Sequence, residues 1–426
     1  MLVYRDRTGV FEGRVAPGGR AEVVIDLKGM TLDELEAFAS HLGEPLYRGR
    51  QLAHWVYPRG ATSFDEMTDL SASLRARLAH EAQVTSLTRV SEVSTDAGDT
   101  IKYLLRLADG ATIETVYMRY KDGRHSVCVS TQVGCGMGCT FCATGLAGLT
   151  RGLTAAEIID QVILVQRLTG DRVSNVVFMG MGEPLANYEA TLRAVRVLNA
   201  PYGLSIGMRH LTLSTVGLVP QIRRLAAERL QLTLAISLHA PTDALRDQLV
   251  PINRRWPVAQ LLQAGADYVL QTGRRVSFEY VLLEGINDTP ALAATLGDLL
   301  QSQSVGLTIR EAGSEGEGIP VGISQTDILR GPNPFHVNLI PWNPVYGMQY
   351  RRPARARVEA FVSELRQRAV PVTVRLERGV EIAAACGQLQ RTTEATMAAP
   401  LPAPPADEKA LPQRARKRVG EGKAKS

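Results

Sequence analysis

His125-Ser126-Val127-Cys128-Val129-Ser130-Thr131-Gln132-Val133-Gly134-Cys135-Gly136-Met137-Gly138-Cys139-Thr140-Phe141-Cys142 runs from an apolar strand, His125 to Thr131, straight into a glycine-rich loop that delivers three thiols within eight residues. A C-x3-C-x2-C run supplies three thiolates and no fourth, which suits a 4Fe-4S cluster with one iron left open for another ligand. Cys135, Cys139 and Cys142 are therefore candidate cluster ligands. Two blander readings stand beside this one: a three-cysteine zinc site completed by His125, and a reducible thiol pair.

Working outward, strands and helices alternate on both sides of that loop. A helix capped by Thr154-x-x-Glu157 follows, then a strand at 175–181, a helix at 188–198, a strand at 211–215, a helix at 220–228, and strands at 232–238, 276–283, 337–340 and 372–376. Repeated β-α units predict an α/β fold, a parallel sheet closed or half closed into a partial (β/α) barrel, with chemistry at the strand C-terminal ends. Gly180-Met181-Gly182-Glu183-Pro184, Ser214-Thr215, Ser237-Leu238-His239 and Trp342-Asn343 all fall at such ends. Taken alone, His239 reads as a packed histidine rather than a ligand.

Upstream, Thr31 and Glu34 form a capping box for a helix at 31–42 that Gly43 ends. Two further helices carry Leu52, Trp55 and Val56, and Leu74; the arginines among them (Arg48, Arg50, Arg59, Arg75) read as a solvated surface. From Thr100 to Met118 the pattern alternates around Asp109-Gly110, a hairpin signature. Glu114 lies on its second strand, either as an edge charge facing water or as a buried carboxylate of raised pKa suited to moving a proton. The predicted organisation is an arm at 1–29, a helical accessory domain at 30–95, a β-hairpin extension at 96–124, a barrel at 125–390 with a loop insertion at 306–334, and a disordered basic, proline-rich tail at 391–426.

The chain has 426 residues and a net charge of +5 from 48 basic and 43 acidic residues, a balance compatible with a polyanionic partner. It contains no apolar run of 18 residues and no secretory leader pattern, and its five cysteines are too few for a secreted disulfide scaffold. A cytoplasmic protein with no membrane contact is the expectation.

Together with FMGMGEP (178–184), LTLST (211–215), ISLHAP (236–241), Val250-Pro251-Ile252-Asn253, IPWNP (340–344) and AACGQL (384–389), the cysteine loop resembles the radical S-adenosylmethionine RNA adenine methyltransferases. Within them the resemblance points to the dual-specificity enzymes that methylate C2 of adenosine 2503 in 23S rRNA and of adenosine 37 in certain tRNAs, and it covers roughly residues 30 to 390. It implies a 4Fe-4S cluster on Cys135, Cys139 and Cys142, and two S-adenosylmethionine molecules per turnover. Gly182, Glu183, Ser214, Ser237, Leu238, His239 and Asn343 would bind that cofactor. By the same resemblance, the Cys386 sulfur is methylated first, a 5'-deoxyadenosyl radical takes a hydrogen from that methyl, and the methylene radical adds to C2. Glu114 then serves as proton acceptor, with Cys128 helping to remove the C2 proton. Cys128 resolves the covalent RNA adduct and leaves a transient Cys128–Cys386 disulfide, which reduction resets.

The accessory domain would grip folded RNA, with Arg48, Arg50 and Arg59 as phosphate contacts. The partners implied are 23S rRNA, tRNA and a cellular one-electron reductant, with the enzyme a monomer. The loop at 306–334 and the basic tail are longer than the family pattern. Two rivals remain. The antibiotic-resistance sister enzyme methylates C8 of the same ribosomal adenosine; Pro184 and IPWNP favour C2, while Leu185-Ala186-Asn187 resembles the sister group. The other rival is a non-catalytic zinc-bound RNA-binding protein.

Overall fold

Strands Thr100–Arg106 and Thr112–Arg119 pair antiparallel, Leu105 facing Ile113, with Gly110 in the turn at φ 84°. The hairpin is not a free extension. Its second strand pairs with His125–Cys128, and an outer strand, Thr88–Ser94, covers its first. Thr88–Ser94 was not predicted, because a mostly exposed edge strand carries little hydrophobic alternation. The computed structural model describes residues 2–5, 10–15, 23–85, 87–312, 333–345, 347–375 and 378–389.

Those strands belong to one ten-stranded sheet. Beyond His125–Cys128 it continues through Asn175–Phe178, Leu211–Thr215, Thr233–Ser237, Val276–Leu282, Phe335–Pro341 and Val372–Val374, each parallel to the last. Helices cross between them. Ala155–Thr169 starts at the predicted capping box, Thr154 Oγ1 accepting from the Glu157 amide, and stops at Gly170 with φ 72°. Helices Tyr188–Asn199, Val219–Ala227, Val258–Thr272 and Arg355–Gln367 bury one face each. The sheet order is linear, so the barrel is partial, as the β-α rhythm implied.

Two predicted strands end early at the mouth. The chain leaves the sheet at Cys128 and at Phe178 and cross-links the two exits: Gly180 N donates to Val129 O (3.1 Å) and Thr131 N to Met181 O (2.8 Å). A Cβ on Gly180 would stand 2.7 Å from Val129 O, so only glycine allows this approach.

The accessory helices are Leu32–His41, Tyr47–Val56 and Ala72–Glu81, the first capped by Thr31 and Glu34 as read from the sequence. One apolar core runs unbroken from Leu27 through the barrel to Leu389. The N-terminal stretch read as an arm contains strands Leu2–Arg5, Val10–Val15 and Val23–Asp26, which join Ala82–Gln83 in a four-stranded sheet. The supposed insertion at 306–334 starts as helix, because Pro290–Ala312 is continuous. Residues 313–332 and the tail from 390 lie outside the described residues. No helix among the described residues is long and apolar enough to cross a membrane.

Candidate active site

The cysteine loop is held by its glycines. Gly134 sits at φ 79° with the place of a Cβ only 1.9 Å from Gly148 O, and Cys135 N donates to that same carbonyl (2.9 Å). Cys142 N donates to Cys139 O (3.2 Å), curling the chain so that the thiols lie close enough to feel one another's charge. Burial pushes Cys135 up to about 12, with Cys142 and Glu183 adding to it. Burial also raises Cys139 and Cys142, and Cys139 feels both other thiols of the loop. Three neighbouring thiols that resist ionising together are stable as thiolates only beside a strong positive charge. An iron-sulfur cluster supplies that charge, so the donor set fits one. Among the described residues no three His, Cys, Asp or Glu side chains converge on a single ion. A cluster makes no such demand, since each thiolate binds a different iron. His125 does not complete a zinc site: it begins the strand whose far end leads to the loop, and its Nδ1 hydrogen-bonds Tyr117 Oη.

The predicted cofactor residues line the strand ends beside this loop. Gly182 has φ 104° and packs so closely on Gln132 that a Cβ would meet its Cβ at 2.6 Å. Glu183 is buried, its carboxylate accepting from Leu185 N (2.9 Å) and Val216 N (2.7 Å), and burial raises it to about 7. Ser214 and Ser237 stand at the ends of Leu211–Thr215 and Thr233–Ser237. Leu238 is fully buried, and its amide and that of His239 both donate to Glu279 O. His239 is a buried residue at φ 61° whose Nδ1 accepts from Val281 N (3.0 Å). Burial and the Arg246 guanidinium push it down to about 3, so it is neutral, edge-on to Phe141 of the cysteine loop at 4.7 Å. Asn343 donates to Cys386 O (3.2 Å), while its Oδ1 is buried without a hydrogen-bond partner. That orphaned acceptor is what a site awaiting a donor group looks like.

Cys386 reaches the same mouth from the far end of the chain. Ala143 N donates to Gly387 O (2.9 Å), Thr144 Oγ1 to Leu389 O, and Gln388 Nε2 to Pro344 O (2.8 Å), which docks the AACGQL segment directly on the cysteine loop. The Cys386 thiol is exposed, with Arg375 Nη1 3.7 Å from its Sγ. Cys128 is buried at the end of its strand. Burial first, then proximity to Cys386, pushes its thiol up to about 12. All five cysteines are free, so the disulfide implied by the resemblance is not formed here.

Glu114 is buried rather than an edge charge. Val116 pairs with Cys128, so Glu114, two residues earlier, shares the face of the sheet that carries Cys128. Its carboxylate is 3.1 Å from Lys102 Nζ, a counter-charge that sequence reading missed. Arg246 and Arg375 were missed too. Arg246 is fully buried and donates to the carbonyls of Val216, Ser237 and Leu238 and to Asn253 Oδ1, tying the ends of two barrel strands together. The Asn253 of the quoted Val-Pro-Ile-Asn motif was the available signal. In the accessory module Arg50 pairs with Glu36 (2.8 Å), Arg48 with Gln51 (2.7 Å), and Arg59 stacks on Trp55 at 4.5 Å.

Residues 25–84 match the ribosomal RNA large subunit methyltransferase N-terminal domain, and residues 129–294 match the Radical SAM superfamily. A probable dual-specificity RNA methyltransferase RlmN of Symbiobacterium thermophilum is 47% identical over 371 residues, 86% of this chain and 92% of the relative. The protein of the same description from Desulforudis audaxviator is 51% identical over 340 residues, 80% and 97%. The crystal structure of a radical SAM methyltransferase from Sphaerobacter thermophilus superposes with a TM-score of 0.76 at 48% identity, covering 86% of this chain and 99% of that one.

Proposed function

Because the chain belongs to the RlmN family of dual-specificity RNA methyltransferases within the Radical SAM superfamily, we propose that it methylates C2 of adenosine 2503 in 23S rRNA and of adenosine 37 in tRNAs, with Cys386 as the methyl carrier. The observation that carries this reading is the docking of the Cys386 segment onto the cysteine loop through Ala143 and Thr144, with Cys128 alongside. Cys135, Cys139 and Cys142 would hold the 4Fe-4S cluster. Gly182, Glu183, Ser214, Ser237, Leu238, His239 and Asn343 would hold S-adenosylmethionine, Glu183 taking its ammonium and Asn343 Oδ1 a further donor. When bound, the pair supplies one-electron chemistry that activates a methyl group toward an aromatic C–H carbon which polar chemistry leaves inert.

The chain's own residues divide the remaining work. Cys386, exposed at the mouth with Arg375 Nη1 3.7 Å from its sulfur, is the accessible methyl acceptor. Buried Cys128 stays protonated and is not methylated in its place. Once the methylene bridges the Cys386 sulfur and the base, Glu114 takes the C2 proton. Cys128 then gives up its proton and attacks the Cys386 sulfur: an S–S bond forms, the sulfur–carbon bond breaks with its electron pair going to carbon, a proton converts the released methylene into the new methyl, and the unpaired electron left by the radical addition returns to the redox centre. Two S-adenosylmethionine molecules per turnover follow, one loading Cys386 and one providing the activation. An external one-electron donor is required, and the RNA substrates put the work in the cytoplasm.

Nucleoside mass spectrometry of 23S rRNA and tRNA from a deletion strain, with and without this gene restored, tests the reading. The expected result is 2-methyladenosine in both RNA classes only when the gene is present. Finding 8-methyladenosine instead would move the target to C8, and one zinc per chain without iron or sulfide would remove the radical chemistry.

A further inference from the structure

Lys102 breaks the apolar character of its strand and yet is almost fully buried, its side chain 6% exposed and that of Glu114 0%. It pairs with Val116, which pairs in turn with Cys128, so Lys102, Cys128 and Glu114 all rise from one face of three adjoining strands. The ammonium has two partners. One is Glu114 Oε1 at 3.1 Å; the other is Ala383 O at 3.2 Å, in the turn that leads to Cys386. That turn is tightly wound, with Gly379 at φ 67°, Ala383 at φ 51° and Ala384 N donating back to Gly379 O (2.7 Å).

A buried ion pair is a poor stabilising device, since an apolar pair of similar volume is often as good or better. Lys102 therefore calls for a reason other than stability. A carboxylate taken out of water with no counter-charge picks up a proton and can accept no other. We propose that Lys102 is a positioning residue for the methyl-transfer reaction: it keeps Glu114 ionised and aimed, and through Ala383 it holds the Cys386 turn in register with that carboxylate. The inference rests on the reading of Glu114 as proton acceptor. In the step concerned, the C2–H bond breaks, its electron pair stays on the base, and the proton passes to Glu114.

The test separates methyl loading from adduct resolution. Full-length, cluster-loaded Lys102→Met is compared with wild type, Lys102→Arg, Glu114→Gln and Cys128→Ala, using peptide mass spectrometry for S-methyl-Cys386 and denaturing gels for the RNA–protein adduct. Lys102→Met should load Cys386 as wild type does, accumulate adduct, and release methylated RNA about 100-fold more slowly or worse, as loss of a general base would. Lys102→Arg should restore much of the release. Wild-type release by Lys102→Met, or parallel loss of loading and release, overturns the inference. If Lys102→Met does not fold, Lys102→Met/Glu114→Gln, which buries no lone charge, replaces it. Methyl loading equal to that of Glu114→Gln, with release no faster, then supports the proposal, and loss of methyl loading overturns it. Absence of adduct in Cys128→Ala would instead sink the covalent reading itself, whatever Lys102 does.

Discussion

Glu183 shows how burial alone sets a residue's chemistry. Burial outweighs the hydrogen bonds its carboxylate accepts from the Val216 and Leu185 amides and the Thr215 side chain, and Glu183 rises from 4.5 to about 7. A carboxyl whose pKa is higher folded than unfolded binds its proton more tightly in the fold. Its stabilising contribution is therefore complete below pH 4.5 and fades as pH rises through about 7. Ligand-free wild-type protein should lose thermal stability between those two values that Glu183→Gln protein keeps, and melting curves across that range check it. Arg246 is the opposite case, a buried cation whose ordinary pKa is pulled down to about 10 by desolvation and which is satisfied by backbone carbonyls. Arg246→Met leaves those carbonyls unpaired and should destabilise the fold by roughly 3 kcal/mol or more in denaturant titration.

At the scale of elements, the cysteine loop depends on one glycine more than on its flexibility as a whole. Gly134→Ala asks for a side chain 1.9 Å from Gly148 O in a left-handed conformation, so the loop must open. The expected outcome is loss of iron and sulfide after anaerobic reconstitution with the far-UV circular dichroism preserved, measured by metal and sulfide analysis. The capped helices were legible because caps are local: Thr31 with Glu34 and Thr154 with Glu157 satisfy amides three residues away. Thr88–Ser94 was not legible, and neither was the role of Lys102. An edge strand lacks a strong hydrophobic period, and a lysine in an alternating strand reads as solvent-facing until another segment covers it.

At the scale of the molecule, the accessory module is fastened to the barrel by buried charge as well as by the common core. Lys28 and Asp160 form an ion pair with side-chain exposures of 0% and 3%, Asp160 also accepts from Leu87 N, and Arg193 bonds Glu34 (2.5 Å). Asp160→Asn removes the carboxylate that Lys28 and Leu87 N share and should cost roughly 3–5 kcal/mol. Limited proteolysis should then cut between the module and the barrel, near residues 84–88, much faster than in wild type; unchanged cleavage would mean that the apolar core alone holds the two together.

By itself the sequence determined the alternation of strands and helices, the hairpin, the caps and the cysteine loop, because each of these is written in the spacing of neighbouring residues. It also marked the polar strand ends, since strands of one parallel sheet send their C-terminal ends to the same side. Only the tertiary structure decided that Glu114 is buried against Lys102, that Arg246 clamps the mouth, and that Cys386 comes to lie on the cysteine loop some 250 residues earlier in the chain. Burial and counter-charge belong to whichever segment folds over a side chain, and no local spacing encodes which segment that will be.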